Sequence, residues 1–526
     1  VRIGVDVGGT NTDAVLMDGK TIKAAHKAAT TQDVSGGIVN AIRAVLDETG
    51  VAPAQITAVM IGTTQFTNAF VERRSLLPVA IFRIALPATA GLPPLVDWPE
   101  DFRSVIGENF FLVRGGFHYD GRPSAPLDEA AIADAARKMR QDGLTAAAVT
   151  AMFSPVSAEL EERAAEIIKN ENPDAVITLS ARIGRIGLIE RENAAVMNAS
   201  LAQLAQHVVQ SFREALLELE ITAPFHISQN DGTLMTSERV EQYPVLTFAS
   251  GPTNSMRGAA YLSGVKEALV ADIGGTTTDI GMLSNGFPRE SSVAVDIGKV
   301  RTNFRMPDIF AIGLGGGSLV KENSGDVTIG PQSVGYKLTK DALVFGGDTL
   351  TATDIAVAAG ATDIGDASNV KSLDRAMVAA AHDRMHAMIA DAADQMKTSA
   401  EPIPLILVGG GSVLVDRDIS GTSETIIPEN ADVANAIGAS IAQVGGEVDK
   451  VFSYEACPRE EALEIARNEA KSAAVAAGAQ AETVDIIDIE EVPLAYVPGR
   501  AVRVRVKVAG DLNYQDHSGT QQGGAA

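Results

Sequence analysis

Asp6-Val-Gly-Gly-Thr-Asn-Thr-Asp13 and Asp272-Ile-Gly-Gly-Thr-Thr-Thr-Asp279 agree at six of eight positions and lie 266 residues apart. An apolar run precedes each copy, and a second apolar run follows it, reaching Asp18-Gly19 in the first case. A strand, a double-glycine turn and a returning strand make a hairpin whose turn aims backbone N–H groups into a small concavity. Such a nest accepts phosphate oxygens, and glycine is needed where a side chain would block approach or where φ is positive. One copy by itself is the pattern of an ordinary hairpin. Two copies half a chain apart, with Asp and Thr at the same offsets, signal a duplicated architecture. The candidate phosphate-binding residues are therefore Gly8, Gly9, Thr10, Asn11 and Thr12, and, in the second copy, Gly274, Gly275, Thr276 and Thr277, with the Thr278 hydroxyl as a further donor.

A carboxylate at the end of the leading strand cannot face a phosphate unless a cation stands between them. Asp6 and Asp272 thus imply Mg²⁺, held partly through water. Asp6, Asp272 and Asp279 are the candidate catalytic carboxylates, able to orient or deprotonate an attacking hydroxyl or water. A third cluster, Gly409-Gly410-Gly411, follows the apolar run Leu405 to Val408. It reads as a plain strand-to-helix turn or, in the nucleotide-binding architecture that the two loops resemble, as the place where backbone glycines admit the adenine and ribose. Gly315-Gly316-Gly-Ser318 is similar and joins the nucleotide-binding set. Its continuation, Lys321-Glu-Asn-Ser-Gly325, is not helical, which excludes the dinucleotide fingerprint. Neither a Walker A sequence nor a Gly-x-Ser-x-Gly elbow occurs.

Outward from the first hairpin, a third strand near Thr21 to Ala28 precedes a helix over Val34 to Glu48, with Ile38, Ile42, Val45 and Leu46 at helical spacing. Strands over Ile56 to Gly62 and Leu77 to Ile84 enclose a short helix at Gln65 to Arg73. Pro87 to Pro126 breaks the pattern. Helix and strand then alternate from Asp128 to Leu179, a long helical stretch from Ile189 to Leu219 suits a connector between lobes, and the hairpin pattern restarts at Ala268. Beyond Gly446 come a strand, an Ala-rich helix from Arg459 to Ala477 and two more strands, ending in the small polar run from His517 to Ala526, which reads as disordered. The expected division is 1–180, a first lobe with the first phosphate loop; 181–445, connector and second lobe with the second phosphate loop and the adenosine loop; and 446–526, a small α/β appendage with the tail.

At 526 residues the chain exceeds what one core serves. Its net charge of -24 opposes nucleic acid and anionic membrane partners, because a like-charged field repels polyanions. A single cysteine, Cys457, excludes an internal disulfide framework and a multi-cysteine zinc site. No charged-then-apolar leader opens the sequence and no apolar run nears the ~20 residues that span a bilayer, so the expectation is a soluble, cytoplasmic protein.

The duplicated loops resemble those of ATP-binding proteins of the actin, sugar-kinase and Hsp70 type. That resemblance implies an α/β fold of two RNase-H-like lobes around an ATP cleft, with a small C-terminal α/β appendage. A more specific series runs through Gly62-Thr-Thr-Gln-Phe-Thr-Asn68, Pro126-Leu-Asp-Glu129, Ile189-Glu-Arg-Glu-Asn193, Gln229-Asn-Asp-Gly232, Ser250-Gly-Pro252, Ile312-Gly-Leu-Gly-Gly-Gly-Ser318 and Thr353-Asp354. In this order the motifs resemble the hydantoinase A and oxoprolinase family of ATP-dependent amidohydrolases, which includes acetone carboxylase subunits. The resemblance implies transfer of the terminal phosphoryl group of ATP to the carbonyl oxygen of a lactam, hydantoin-like or related small-molecule substrate, for ring opening or carboxylation. It also implies a hydantoinase-B-like companion subunit.

Two alternatives stay open: an actin-like or Hsp70-like nucleotide-dependent regulatory or binding protein, and a small-molecule kinase. His382 and His386 sit at i, i+4 on a helix, a spacing able to share one metal. With no Glu in the second place and no third ligand evident, a solvated helix face is the expectation. Arg257, Arg301 and Arg305 could steady a phosphate, though surface pairing is the commoner fate of Arg, and Glu72 with Arg73 reads as an ion pair.

Overall fold

The chain was described with a computed structural model, in which residues 1–8, 11–29, 34–291, 294–323, 326–495 and 499–513 are placed. Gly9, Thr10 and the terminal run from His517 to Ala526 lie outside the described residues. The first hairpin is β1 (Arg2–Val7) and β2 (Asn11–Asp18), followed by β3 (Thr21–Ala29) and, after a helix, β4 (Ala58–Thr63). β1 is buried from Ile3 to Val7, as a strand covered on both faces must be. It pairs antiparallel with β2 and parallel with β4.

β5 (Val79–Leu86), β6 (Asn109–Arg114), β7 (Ala146–Ala151) and β8 (Val176–Leu179) form a separate, all-parallel sheet in the order β6-β5-β7-β8. The Pro- and aromatic-rich stretch that broke the sequence pattern thus returns to the layer as its edge strand β6. The long helical stretch is two helices, Leu188–Ser200 and Ala202–Glu218, broken at Leu201. The first of these is buried from Arg191 to Ser200. Its Glu192 accepts from the Arg83 Nε at 2.6 Å, both side chains wholly buried. Removing one member of such a pair strands a charge and costs about 3–5 kcal/mol.

β9 (Phe225–Ser228) and β10 (Thr233–Thr236) return to the first sheet, where β9 lies parallel to β4. The second hairpin is β11 (Ala268–Ile273) and β12 (Thr278–Ser284). Around it come β13 (Phe287–Pro288), a ribbon of β14 (Val295–Ile297) and β15 (Val300–Thr302), β16 (Ile309–Ile312), and a ribbon of β17 (Ser318–Asn323) and β18 (Asp326–Ser333). Strand β17 fits the exclusion of a helix after Ser318. β19 (Leu405–Val408) and β20 (Thr425–Ile426) complete the second sheet.

The duplication is visible in the topology. The first lobe contains the order β3-β2-β1-β4-β9 and the second β16-β12-β11-β19-β20. In both, the first two pairings are antiparallel and the last two parallel. These are two copies of one α/β unit, the RNase-H-like lobes that the repeat implied. The C-terminal piece is present and joined to the first lobe: β21 (Gln443–Ser453), β22 (Asp485–Pro493) and β23 (Ala501–Gly510) extend its sheet to nine strands through β10. Sheet membership therefore cuts across the boundaries expected at 180 and 445, because strands distant in sequence complete one hydrogen-bonded layer.

Two helices knit the lobes together. Ser250–Ser263 packs on β11 and β19 as well as on β4; Ala434–Ser440 packs on β1, β2 and β4. They cross at Gly258 and Gly438. A Cβ on Gly258 would lie 1.9 Å from the Ala434 carbonyl oxygen, and one on Gly438 would lie 1.8 Å from that of Asn254. Only glycine permits this backbone approach. Elsewhere, His382 and His386 are buried on the helix Arg375–Met396, which corrects the expectation of a solvated face. Arg73 pairs with Asp101, leaving Glu72 to Arg74.

Candidate functional site

The two hairpins are equivalent residue for residue in their pairing around the turn. Asp6 faces Asp13 in the β1–β2 register, and Asp272 faces Asp279 in the β11–β12 register. The turns close alike: the Gly8 N–H donates to the Asn11 carbonyl at 3.0 Å, and the Gly274 N–H to the Thr277 carbonyl at 2.9 Å. In the parallel neighbour of each leading strand, a glycine leaves room for the carboxylate. A Cβ on Gly62 would stand 2.3 Å from Asp6 Oδ1, and one on Gly409, where φ is +83, 2.3 Å from Asp272 Oδ1.

The crossing helices bring the four carboxylates into one electrostatic group. Asn254, on the first helix, donates to Asp6 Oδ1 at 3.3 Å. Asn435, on the second, donates to Asp6 Oδ2 at 3.1 Å and to Asp13 Oδ2 at 2.9 Å. Lys27 pairs with Asp13 at 2.9 Å. Burial raises the pKa of Asp6 to about 6; Asp13 and Asp272 add to the rise, and the two Asn donors oppose it. Burial, with Asp272 beside it, pushes Asp279 up to about 7. Asp272 is raised as well, by burial first, with Ser255 and Lys27 pulling the other way.

Three glycine segments meet at the second loop. The Gly316 N–H donates to the Gly274 carbonyl at 3.0 Å, the Gly317 N–H to that of Gly275 at 2.8 Å, and the Gly411 N–H to that of Ile273 at 2.7 Å. A Cβ on Gly315 would fall 2.5 Å from the Thr276 nitrogen. Thr353 Oγ1 holds the Gly316 carbonyl at 2.9 Å. Gly275, Thr276, Thr277 and Gly410 remain exposed at the surface of this cradle. In the first loop Asn11 is exposed and Thr12 buried.

The donor set fits a magnesium ion. It consists of carboxylate oxygens, the hard ligands that Mg²⁺ takes; burial first, and neighbouring carboxylates second, disfavour the ionised forms of Asp6 and Asp279, and a cation would relieve both. Asp13 Oδ1 is buried with no hydrogen-bond partner among the described residues. A cation on this side of the hairpin would answer it.

The arginines lie elsewhere. Arg257 is buried against the Phe287 ring and donates to the Gly286 carbonyl, whereas Arg301 is exposed near Glu190. Arg305 belongs to a charge network with Glu447, Asp449 and Glu290. That network borders a cavity of about 810 Å³ whose lining includes Asn230, Asp231, Arg305 and Asp449, and none of the described residues of the two hairpin turns. The cavity is linked to the carboxylates through one turn of helix: Thr253 Oγ1 donates to the Asn230 carbonyl, and Thr253 adjoins Asn254.

Asn254, Asn435, Lys27 and Asp13 are site residues that sequence reasoning did not single out. Asp13 was within reach, being the counterpart of Asp279 at the same 266-residue offset. Asn254 follows the Ser250-Gly-Pro252 motif on the same helix, a signal that marked the segment but not the side chain, and Asn435 comes from a helix with no motif singled out in sequence.

Two RNase-H-like lobes, each bringing an Asp-x-Gly-Gly-Thr hairpin to a common carboxylate cluster, define a two-lobed α/β protein built on a duplicated hairpin unit. Comparison with known proteins gives the family. The hydantoinase/oxoprolinase N-terminal region matches residues 2–172, and the hydantoinase/oxoprolinase family itself matches residues 191–366. The chain belongs to the hydantoinase/oxoprolinase family. It is 27% identical over 391 residues to caprolactamase subunit alpha of Pseudomonas jessenii, covering 68% of this chain and 54% of that protein. It is also 27% identical over 396 residues to the acetophenone carboxylase gamma subunit of Aromatoleum aromaticum, covering 68% and 53%. The crystal structure of ATP-dependent caprolactamase from Pseudomonas jessenii superposes with a TM-score of 0.77 at 20% identity, over 98% of this chain and 88% of that one. Nucleotide-free acetone carboxylase gives 0.67 at 17% identity, over 97% and 88%. These superpositions establish the fold. The chain spans about half the length of the curated relatives it matches. No described helix is long and apolar enough to cross a membrane.

Proposed function

We propose that this chain is the ATP-using subunit of an amidohydrolase or carboxylase, and that it phosphorylates the carbonyl oxygen of a cyclic amide or related carbonyl compound. The observation that carries this reading is the meeting of two registered phosphate loops at one cluster of carboxylates. In this reading the glycine cradle of the second loop, with Gly315, Gly316, Gly409, Gly410 and Gly411, takes the nucleotide, and the first-loop residues Gly8, Gly9, Thr10, Asn11 and Thr12 take the terminal phosphate. Asp6 and Asp272 would hold magnesium, in part through water. The ion would supply neutralisation of phosphate charge, which together with positioning is most of what phosphoryl transfer asks of a protein. Asp279, with its pKa near neutrality, suits a proton acceptor.

In the proposed reaction the amide carbonyl oxygen bonds to the γ-phosphorus as the bond to ADP breaks. Water adds to the carbonyl carbon, the ring C–N bond breaks as the nitrogen takes a proton, and a second water displaces phosphate from the acyl phosphate so formed. With a ketone, loss of an α-proton leaves an enol phosphate whose α-carbon bonds to carbon dioxide while water takes the phosphoryl group as phosphate. Hydrolysis consumes ATP and water and releases ADP, phosphate and the opened amino acid. The names of the relatives, subunits of a caprolactamase and of ketone carboxylases, support a companion subunit of the hydantoinase B type for the second step. Cytoplasmic action accords with ATP as substrate.

The test pairs the chain with such a companion and measures ATP turnover across lactams and cyclic ureas. Stimulation by a cyclic amide is expected, and ¹⁸O placed in the carbonyl of the active compound should emerge in inorganic phosphate. A slow rate indifferent to every carbonyl compound would favour a nucleotide-driven switch instead. Phosphate retained on a substrate hydroxyl would favour a kinase.

A further inference from the structure

The helix Arg375–Met396 carries His382 and His386 one turn apart, on the same face. Both side chains are more than nine-tenths buried, and the Nε2 atom of each has no hydrogen-bond partner among the described residues. Leaving two buried ring nitrogens unanswered is costly, so their common direction asks for an explanation. His386 Nδ1 lies 2.9 Å from the His382 carbonyl oxygen. A carbonyl can only accept, so Nδ1 carries the proton, and in the neutral ring Nε2 holds the lone pair. A backbone carbonyl fixing the far nitrogen in this way is the usual support for a metal-binding histidine.

Asp416 supplies the third ligand that the sequence concealed. Its Oδ1 is 3.5 Å from His382 Nε2 and 3.4 Å from His386 Nε2. Neither contact forms a hydrogen bond. Both match the ~3.3–3.5 Å that separates N and O ligands around one tetrahedral ion with metal–ligand bonds near 2.0–2.2 Å. The three atoms all lie within 4.8 Å of one another. Asp383, which holds the second place of the His-x-x-x-His run, is turned away and pairs with Arg417. That pair clamps the same contact between helix and loop.

We propose that His382, His386 and Asp416 form a binding site for a divalent transition-metal ion of the zinc class, separate from the magnesium cluster. Two imidazoles and one carboxylate suit zinc, and magnesium's preference for oxygen ligands argues against it here. Asp416 is exposed, so the fourth position faces solvent and takes water. Such an open site exchanges its ion with the medium. Its placement ties the long helix to the segment just after the Gly409 to Gly411 turn, two residues beyond the short helical turn Ser412–Leu414.

The experiment uses the full chain with any purification tag removed and metals stripped by a chelator. Zinc is titrated against a chromophoric competitor, and cobalt is added separately to report geometry by its visible absorption. One equivalent of zinc per chain, and an intense tetrahedral cobalt spectrum, are expected. Asp416→Asn and His386→Ala should each weaken zinc binding by more than about 100-fold, since even an outer partner of a metal ligand is worth up to that much, and His382→Ala with His386→Ala should abolish it. Because Asp416 is exposed, its replacement leaves the fold intact and decides the matter should a histidine variant fail to fold. Absence of stoichiometric uptake by the wild-type chain, or undiminished uptake by Asp416→Asn, would overturn the proposal.

Discussion

The first and second phosphate hairpins share a sequence, a register and a turn, yet their surroundings assign them different chemistry. Asp6 and Asp13 are buried and held by Asn254, Asn435 and Lys27, so the first hairpin is a fixed, hydrogen-bonded platform. Asp272 and Asp279 are only partly buried, and the loop between them opens to solvent from a bed of glycine backbone. Burial and the charge of Asp272 are what act on Asp279. A duplicated strand-turn-strand fixes backbone geometry, and the side chains that arrive from elsewhere decide what each copy can do.

The sharpest way to break this comparison is at Asp272. Asp272→Asn keeps the shape and removes the charge, and it should lower ATP turnover on the order of 10³-fold, the scale of losing one preorganised electrostatic contact in a transition state. Its circular dichroism should stay that of the wild type, and its melting temperature at neutral pH should not fall, because a buried charge is removed. Ordinary turnover by this variant would end the assignment of the second hairpin to catalysis.

A smaller effect tests how the hairpins are brought together. Gly438→Ala would place a methyl group 1.8 Å from the Asn254 carbonyl oxygen, so one helix must move. The cost expected in urea unfolding is about 1–3 kcal/mol, typical of overpacking. Because Asn254 and Asn435 ride on the same two helices, nucleotide affinity should fall with it. A variant as stable as the wild type would mean that the crossing is looser than its geometry indicates.

The finest distinction is in proton affinity. Asp6 and Asp279 titrate near 6 and 7 in the folded chain, against an ordinary 3.8. Between those values the folded chain holds more protons than the unfolded one. Stability contributed by these groups is therefore complete below about pH 4 and is lost as pH climbs through about 6 to 7. Magnesium with ATP favours the ionised carboxylates and should flatten that decline. Asn435→Ala removes a donor that holds the Asp6 pKa down, so the decline should extend to higher pH. Melting temperatures recorded across pH, with and without magnesium and ATP, would expose an unchanged profile if the first hairpin owes nothing to Asn435.

Much of this fold was legible because its signals are local. The Gly-Gly turns, the alternation around them and the periodic apolar residues of helices such as Val34–Thr49 need only neighbours in sequence. The edge strand Asn109–Arg114 was hidden among prolines and aromatics, since strand pairing rather than pattern defines it. His382 and His386 were misjudged for a related reason. Helical spacing places two side chains on one face but does not say whether that face is covered, and the packing of the segment that carries Asp416 is what covers it.

By itself, the sequence determined the two hairpins, their glycine turns and the carboxylates at their strand ends, because backbone conformation there depends on residues a few positions apart. Only the tertiary structure decided that Asn435 reaches Asp6 across 429 residues, that the C-terminal strands complete the first sheet, and that two histidines and Asp416 converge. Those contacts arise from the packing of whole helices and sheets, and no local pattern encodes which surfaces will meet.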